Sequence, residues 1–202
     1  MIISETRHFL FVHIIKTAGM SIEQALSPYA ERPESVRHLS RHASATDMRT
    51  AIGSDVFQRM YKFAFVRNPW DLELSLYHFN LTHPEFPAHA ATKKFRDFEH
   101  YLMSKKRERM PRGMQLRYIG DEHNNVLVDF VGRYETLRDD FGHVCAAIGI
   151  ENIQLPHANS TSHKPWQECY TVPMFELVRD IAHMDIVQFG YADRPADYGI
   201  GR

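Results

Sequence analysis

A turn rich in cationic and hydroxyl side chains follows the first apolar stretch of the sequence. The run Phe9–Ile15 is apolar and β-branched, and after the turn Lys16–Gly19 the apolar residues recur at helical spacing. This order predicts a strand, a tight turn and a helix. The backbone N–H groups of such a turn and the positive end of the helix dipole point to one place, where Lys16 adds a cation and Thr17 and Ser21 add hydroxyls. The stretch therefore predicts a phosphate-binding site.

This turn is not a Walker A loop. No G-x-x-x-x-G-K-[ST] pattern precedes the helix, and Lys16 stands at the start of the turn rather than at its end. An ordinary turn with a solvent-facing lysine would have the same residues, so the first stretch alone leaves both interpretations open.

A second strand–helix junction strengthens the first interpretation. The strand predicted from Lys62 ends in Arg67, and Asn68 and Pro69 have the types expected at the N-cap and the first position of a helix that runs to about Leu81. Arg67 thus lies at the carboxyl end of a strand, the edge at which open α/β sheets bind ligands. We expect Lys16 and Arg67 to meet at that edge.

Together the two stretches resemble the sulfotransferases that use 3′-phosphoadenosine 5′-phosphosulfate, especially the carbohydrate-modifying branch. The family patterns I-P-K-T-G/A-G-T-S and F-V-R-N-P stand here as residues 14–21 and 65–69, and the likeness extends through 75–77, 130–135 and 155–160 to 189–191. Ile15 replaces the usual proline. Met20 replaces the usual threonine, which removes one hydroxyl from the predicted site.

The resemblance implies a fold and a reaction. The fold is one P-loop-like, three-layer α/β domain over residues 1–202, with helices flanking a central, mostly parallel sheet in which the Phe9 and Lys62 strands lie side by side or one strand apart. The reaction is metal-independent, in-line transfer of a sulfuryl group from 3′-phosphoadenosine 5′-phosphosulfate (PAPS) to an acceptor hydroxyl, with a carbohydrate as the expected acceptor.

Roles for individual residues follow from the same resemblance. Lys16 would stabilise the leaving phosphate, the turn at residues 17–21 would hold the 5′-phosphate, and Arg67 with Ser75 would hold the 3′-phosphate. Arg133, near a predicted strand end, and Lys164, in a later polar loop with Asn159 and Ser160, are further donor-binding candidates. The predicted donor-binding set is Lys16, Thr17, Ala18, Gly19, Met20, Ser21, Arg67, Ser75, Arg133 and Lys164.

The resemblance also implies that the base that takes the acceptor proton lies between the two phosphate-binding stretches. His42 is the first candidate and His38 the second, because an imidazole titrates near neutral pH. Glu23 or Asp71 would serve only if burial raised its pKa. The spacing of His38 and His42 also allows a zinc site on a helix, but no H-E-x-x-H pattern accompanies it and a loop is expected there.

Composition limits the other possibilities. A net charge of −1 over 202 residues gives no overall field that favours nucleic acid or an anionic membrane. The start of the sequence has no signal-peptide pattern and no stretch approaches ~20 apolar residues, so we expect a soluble, cytoplasmic protein without stable membrane insertion. Cys145 and Cys169 are expected as reduced thiols. The oligomeric state stays open.

Several local features are also predicted from the sequence. Ser44 and Asp47 form a capping box for a helix that ends near Gly53. We expect a strand over Val126–Tyr134 and one terminal helix from Val172 to about Gln188. Six basic residues are expected on a solvated helix end, although they could also bind an anionic acceptor; they are Lys105, Lys106, Arg107, Arg109, Arg112 and Arg117.

Two other functions remain open at this point. A non-catalytic nucleotide or glycan binder of the same fold would keep the phosphate site and lack the base. A nucleotide-dependent phosphotransferase is disfavoured by the missing Walker A glycines and by the lack of an evident acidic motif for Mg²⁺.

Overall fold

The chain forms two compact units. The computed structural model describes residues 1–31, 33–105, 113–151, 153–156 and 164–201. Within the described residues, the first unit comprises Met1–Arg67 with Gln115–Asn159, and the second comprises Asn68–Met114 with Ser160–Arg202. The single domain expected over residues 1–202 stays a prediction, because a compact unit need not fold on its own.

Short strands and helices follow one another along the described residues. The strands are β1 (Ile2–Ser4), β2 (Phe9–Val12), β3 (Tyr61–Val66) and β4 (Phe130–Arg133). The α-helices are α1 (Gly19–Leu26), α2 (Ala45–Ile52), α3 (Ser54–Arg59), α4 (Pro69–Thr82), α5 (Ala88–Thr92), α6 (Phe98–Lys105), α7 (Leu116–Ile119), α8 (Leu137–Ala147), α9 (Val172–Ile181) and α10 (His183–Phe189).

The four strands form one sheet in the first unit, in the order β1-β2-β3-β4. β2, β3 and β4 are parallel, and β1 lies antiparallel on the β2 edge. The strands at Phe9 and Lys62 are direct neighbours, with Leu10 opposite Lys62. This mixed α/β, mostly parallel sheet flanked by helices confirms the predicted fold class and the predicted strand neighbours.

The core of the first unit follows from the alternation of side chains along the strands. Phe9 and Phe11 on β2 and Phe63 and Phe65 on β3 are two residues apart, so each pair lies on one face of the sheet. All four are fully buried, and they pack with apolar residues of α1 and α8. The residues contributed by the two helices are Ile22, Ala25, Leu26, Phe141, Val144 and Cys145.

The helix starts predicted from local sequence are confirmed. Ser44 and Asp47 form the reciprocal capping box of α2. The side chain of Asn68 accepts hydrogen bonds from the N–H groups of Trp70 and Asp71, and Pro69 is the first residue of α4. Both caps fix where the helices begin, because they satisfy N–H groups that have no partner within the helix.

The second unit has its own core around Trp70. The ring of Trp70 stacks on Phe175 with 4.1 Å between ring centroids, and its Nε1–H donates to the carbonyl of Phe175. The hydroxyl of Tyr170 donates to the carbonyl of Trp70 at 2.8 Å. The polar atoms of these aromatic residues are therefore satisfied by backbone groups inside the core.

Two predicted elements are shorter than expected. Only Phe130–Arg133 pairs with β3, whereas Val126 forms an isolated bridge with Gly120. The predicted terminal helix is two helices that meet at Ala182, where ψ is 14°. The second of them, α10, buries Asp185, whose carboxylate accepts a hydrogen bond from the N–H of Met114 at 2.7 Å. Val187 of the same helix is 67% exposed.

Candidate functional site

The predicted cations of the first unit lie at the carboxyl edge of its sheet. β2, β3 and β4 run in the same direction, so their ends lie along one edge, where Val66 pairs with Arg133. Arg67 follows β3 directly, and Lys16 lies in the turn between β2 and α1. In a parallel sheet, the residues that follow the strands lie along the same edge. The sequence predicted this placement for Lys16 and Arg67.

The turn before α1 is held in an unusual backbone conformation. Lys16 and Ala18 both have positive φ angles, 61° and 64°, although neither is glycine. Such residues cost on the order of 1–3 kcal/mol each and occur often at ligand-binding turns. Between them, the hydroxyl of the buried Thr17 donates to the carbonyl of Ile14 at 2.9 Å. This inward hydrogen bond stabilises the turn.

The hydroxyl of Thr17 is therefore not placed as predicted. We expected it to point toward the bound phosphate, but in this structure it donates to the carbonyl of Ile14. The N–H of Ser21, also expected in the phosphate site, donates to the carbonyl of Ala18 at 3.0 Å as part of the first helical turn. The N–H groups at the start of α1 remain the candidates for anion binding.

Lys16 and Arg67 are in direct contact. Nη1 of Arg67 donates to the carbonyl of Lys16 at 3.1 Å. Burial, together with the nearby positive charge of Arg67, lowers the pKa of Lys16 from an ordinary 10.5 to about 8. The first turn of α1 contains no acidic residue. Two cations and the positive end of a helix dipole therefore lie close together, an arrangement that favours an anion.

The position of Arg67 depends on two residues that the sequence did not reveal. The side-chain amide of the buried Gln115 accepts from the N–H of Arg67 and donates to its carbonyl, both at 2.8 Å. The guanidinium lies over the ring of Tyr134, 4.0 Å from its centroid. Gln115 is 48 residues away in sequence, so no local pattern could have indicated it.

His42 is held beside the turn by a hydrogen bond to the backbone. Its Nδ1 lies 2.9 Å from the carbonyl oxygen of His13. A carbonyl oxygen can only accept, so we assign the proton to Nδ1, which leaves a lone pair on Nε2 of the neutral ring. The rings of the two histidines meet edge to face, with 4.5 Å between their centroids. In this tautomer, the atom of His42 that can accept a proton is Nε2.

His13 also contacts the first residue of α1. A side chain at Gly19 would place its Cβ 2.0 Å from Nε2 of His13, so only glycine permits this close approach. Nδ1 of the buried His13 lies 2.8 Å from Oε1 of Glu23. His13 therefore connects the end of β2, the start of α1 and the ring of His42, a role that the sequence did not indicate.

Glu23 is unsuited to be the base. Burial alone would raise its pKa, but hydrogen bonds from His13 and from the ammonium group of Met1 outweigh that effect and lower the pKa to about 2. A carboxylate that stays ionised to such low pH is a weak proton acceptor. His38 lies exposed in a turn.

Other predicted residues belong to the second unit or lie outside the described residues. Ser75 is buried on α4 and Lys164 is exposed, and both belong to the second unit. Lys105 is not on a solvated helix end: its Nζ is buried against the carboxylate of Glu73 at 2.6 Å. Lys106, Arg107, Arg109, Arg112, Asn159 and Ser160 lie outside the described residues.

The described ranges also bear on metal binding, membrane insertion and thiol chemistry. Within them, no group of three or more His, Cys, Asp and Glu side chains is arranged to hold a metal ion. None of the helices formed by these residues combines the length and apolar character needed to cross a membrane. Cys145 and Cys169 are free thiols, as expected.

Comparison with known families identifies the class of protein. A family model described as the sulfotransferase family matches residues 1–192, so the chain belongs to the sulfotransferase family. This confirms the resemblance found in the motifs. The reaction of the family is transfer of a sulfuryl group to an acceptor that carries a hydroxyl. No curated protein and no solved structure matches the chain.

Proposed function

We propose that the protein transfers a sulfuryl group from PAPS to a hydroxyl of a carbohydrate, without a metal ion. The observation that carries the proposal is the contact between Lys16 and Arg67 beside the start of α1. These cations lie where the backbone N–H groups of a helix already favour an anion, and burial together with the charge of Arg67 lowers the pKa of Lys16. A donor with phosphates at its 3′ and 5′ positions fits such a site.

The turn and Lys16 act on the 5′ side of the donor. Backbone N–H groups at the start of α1 bind the 5′-phosphate, and the ammonium group of Lys16 neutralises the negative charge that grows on it as the sulfur–oxygen bond breaks. Lys16 thus acts mainly in the transition state. Arg67 holds the 3′-phosphate, because its planar guanidinium offers paired N–H donors to phosphate oxygens.

His42 removes the acceptor proton. The new bond forms between the acceptor oxygen and sulfur, the bond between sulfur and the phosphate oxygen breaks, and the hydroxyl proton passes to Nε2 of His42. The hydrogen bond from Nδ1 to the carbonyl of His13 supports this role, since it leaves Nε2 as the accepting atom. The roles of Arg133, Ser75 and Lys164 in donor binding stay predictions, as does that of His38 as the second candidate base.

Calorimetry tests the donor specificity. Adenosine 3′,5′-bisphosphate, the product of the donor, is titrated into the protein in the presence of EDTA, and ATP with Mg²⁺ is titrated in a parallel experiment. We expect the bisphosphate to bind without metal and more tightly than ATP. Tighter binding of ATP with Mg²⁺ would contradict the proposal and favour a phosphotransferase.

A transfer assay then separates an enzyme from a binding protein. Donor labelled in its sulfuryl group is incubated with a panel of neutral and acidic glycans, and label that moves to a glycan is counted. We expect transfer that Lys16→Ala abolishes. Tight bisphosphate binding without transfer to any member of the panel would favour the non-catalytic binder, whose phosphate site would look the same.

A further inference from the structure

Glu23 contacts two residues next to His42, one that is near it in space and one that precedes it in sequence. Its Oε1 accepts from Nδ1 of His13 at 2.8 Å, and its Oε2 lies 3.2 Å from Nε of Arg41. The side chains of Glu23 and His13 are only 15% and 4% exposed, so their hydrogen bond is largely shielded from water. One carboxylate on α1 thus holds both the residue that follows β2 and the residue that precedes His42.

His42 has its own bond to the same place. Its Nδ1 donates to the carbonyl of His13, and its ring packs against the ring of His13. Arg41, its neighbour in sequence, places Nη1 2.9 Å from Sδ of Met20 in the first turn of α1, in addition to its contact with Glu23. The segment that carries His42 is therefore attached to α1 at several points, and Glu23 takes part in the two charged ones.

We propose that Glu23 is a positioning residue for His42. Acting through His13 and Arg41, its carboxylate fixes the imidazole relative to α1, the helix whose first turn binds the donor phosphate. The inference rests on the proposed role of His42 as base. This positioning matters because the base must be aimed at an acceptor that lies in line with sulfur. A misplacement of the base by about 1 Å lowers the rate on the order of 10²-fold.

The carboxylate of Glu23 stays charged, so its contacts do not change with pH. Hydrogen bonds from His13 and the Met1 ammonium group keep its pKa at about 2 despite burial, so the carboxylate is ionised at every pH at which the enzyme would work. It can then accept from His13 and pair with Arg41 without interruption. Glu23 takes no proton in the reaction.

A double-mutant cycle tests whether Glu23 acts through His42. Turnover is measured for Glu23→Ala, His42→Ala and the double variant, with the labelled donor and an acceptor from the glycan panel. We expect Glu23→Ala to lower kcat by about 10–10²-fold. The double variant should be no slower than His42→Ala alone, because a positioning residue has nothing left to position. Bisphosphate affinity, measured by calorimetry, should change by less than about threefold in all three variants.

Glu34→Ala is the matched control. Glu34 precedes His42 in the same segment and pairs with Arg37, and both side chains are exposed. Its removal changes the charge by the same amount and should leave kcat unchanged. Glu23→Gln keeps the shape of the side chain and one accepting oxygen, so we expect a smaller loss than in Glu23→Ala.

The outcomes test the positioning role of Glu23 separately from the role of His42 as base. Equal losses from Glu23→Ala with and without His42 would overturn the positioning role while leaving His42 as base. A His42→Ala variant with wild-type turnover would remove both. If Glu23→Ala does not fold, as thermal unfolding would show, Arg41→Ala replaces it in the cycle. Its exposed side chain can be removed with little effect on stability, and the same non-additive result is expected.

Discussion

The lowered pKa of Lys16 predicts how turnover depends on pH. Burial and the charge of Arg67 bring that pKa from 10.5 to about 8, so roughly nine-tenths of the free enzyme carries the ammonium at pH 7 and roughly one-tenth at pH 9. The proton is needed because the ammonium stabilises the leaving phosphate. We therefore expect kcat/KM for the donor, which reports the free enzyme, to fall about tenfold per pH unit above pH 8.

Two variants show whether Lys16 causes this basic limb, the fall of kcat/KM above pH 8. Lys16→Arg retains a cation that stays charged throughout the range, so the basic limb should vanish even if the absolute rate is lower. Arg67→Gln removes one cause of the lowered pKa and should move the limb to higher pH. The assay is initial-rate transfer from labelled donor between pH 6 and 10. An unchanged basic limb in Lys16→Arg would refute the assignment.

Four further results are expected. Lys16→Ala should lower turnover far more than it weakens bisphosphate binding in calorimetry, since its charge acts mainly in the transition state. Arg67→Ala should weaken that binding by about 10–10²-fold through loss of a charge-assisted hydrogen bond, and unaltered affinity would contradict its role. His42→Ala should lower turnover by roughly 10²–10⁴-fold; a variant that keeps wild-type turnover would move the role to His38. Because the folded pKa of Lys16 lies below its unfolded value, the charged lysine destabilises the fold below about pH 8, and stability rises with pH from there to about 10.5. Lys16→Met should therefore raise the free energy of unfolding at pH 7, in urea denaturation, by about 1–2 kcal/mol after allowance for solvent screening of the partly exposed ammonium.

Features encoded in local sequence were predictable. The Ser44 capping box, the Asn68 cap with Pro69, and the strand–turn–helix around Lys16 each depend on residues within a few positions of one another. The neighbouring placement of the Lys16 and Arg67 strands followed from the general rule for parallel sheets and from the family resemblance. Local chemistry and sheet topology together were enough to bring the two cations to one edge.

Features that depend on tertiary contacts were not predictable. Gln115 reaches the backbone of Arg67 across 48 positions, and Glu23 joins His13 to Arg41 through three separate segments. The hydroxyl of Thr17 donates to the carbonyl of Ile14 in a turn where Lys16 and Ala18 have positive φ angles although neither is glycine. Contacts between distant parts of the chain decide the side-chain directions of Gln115 and Glu23, whereas the contact of Thr17 is local but is not indicated by the residue types of the turn.

The most direct test of the donor site is a crystal structure with adenosine 3′,5′-bisphosphate bound. The account predicts the 5′-phosphate within about 3 Å of backbone N–H groups at the start of α1, beside the ammonium of Lys16, and the 3′-phosphate on the guanidinium of Arg67. Nε2 of His42 should face the place beyond the 5′-phosphate where sulfur would lie. A nucleotide bound away from Lys16 and Arg67, or with its two phosphates in contact with neither cation, would contradict the account.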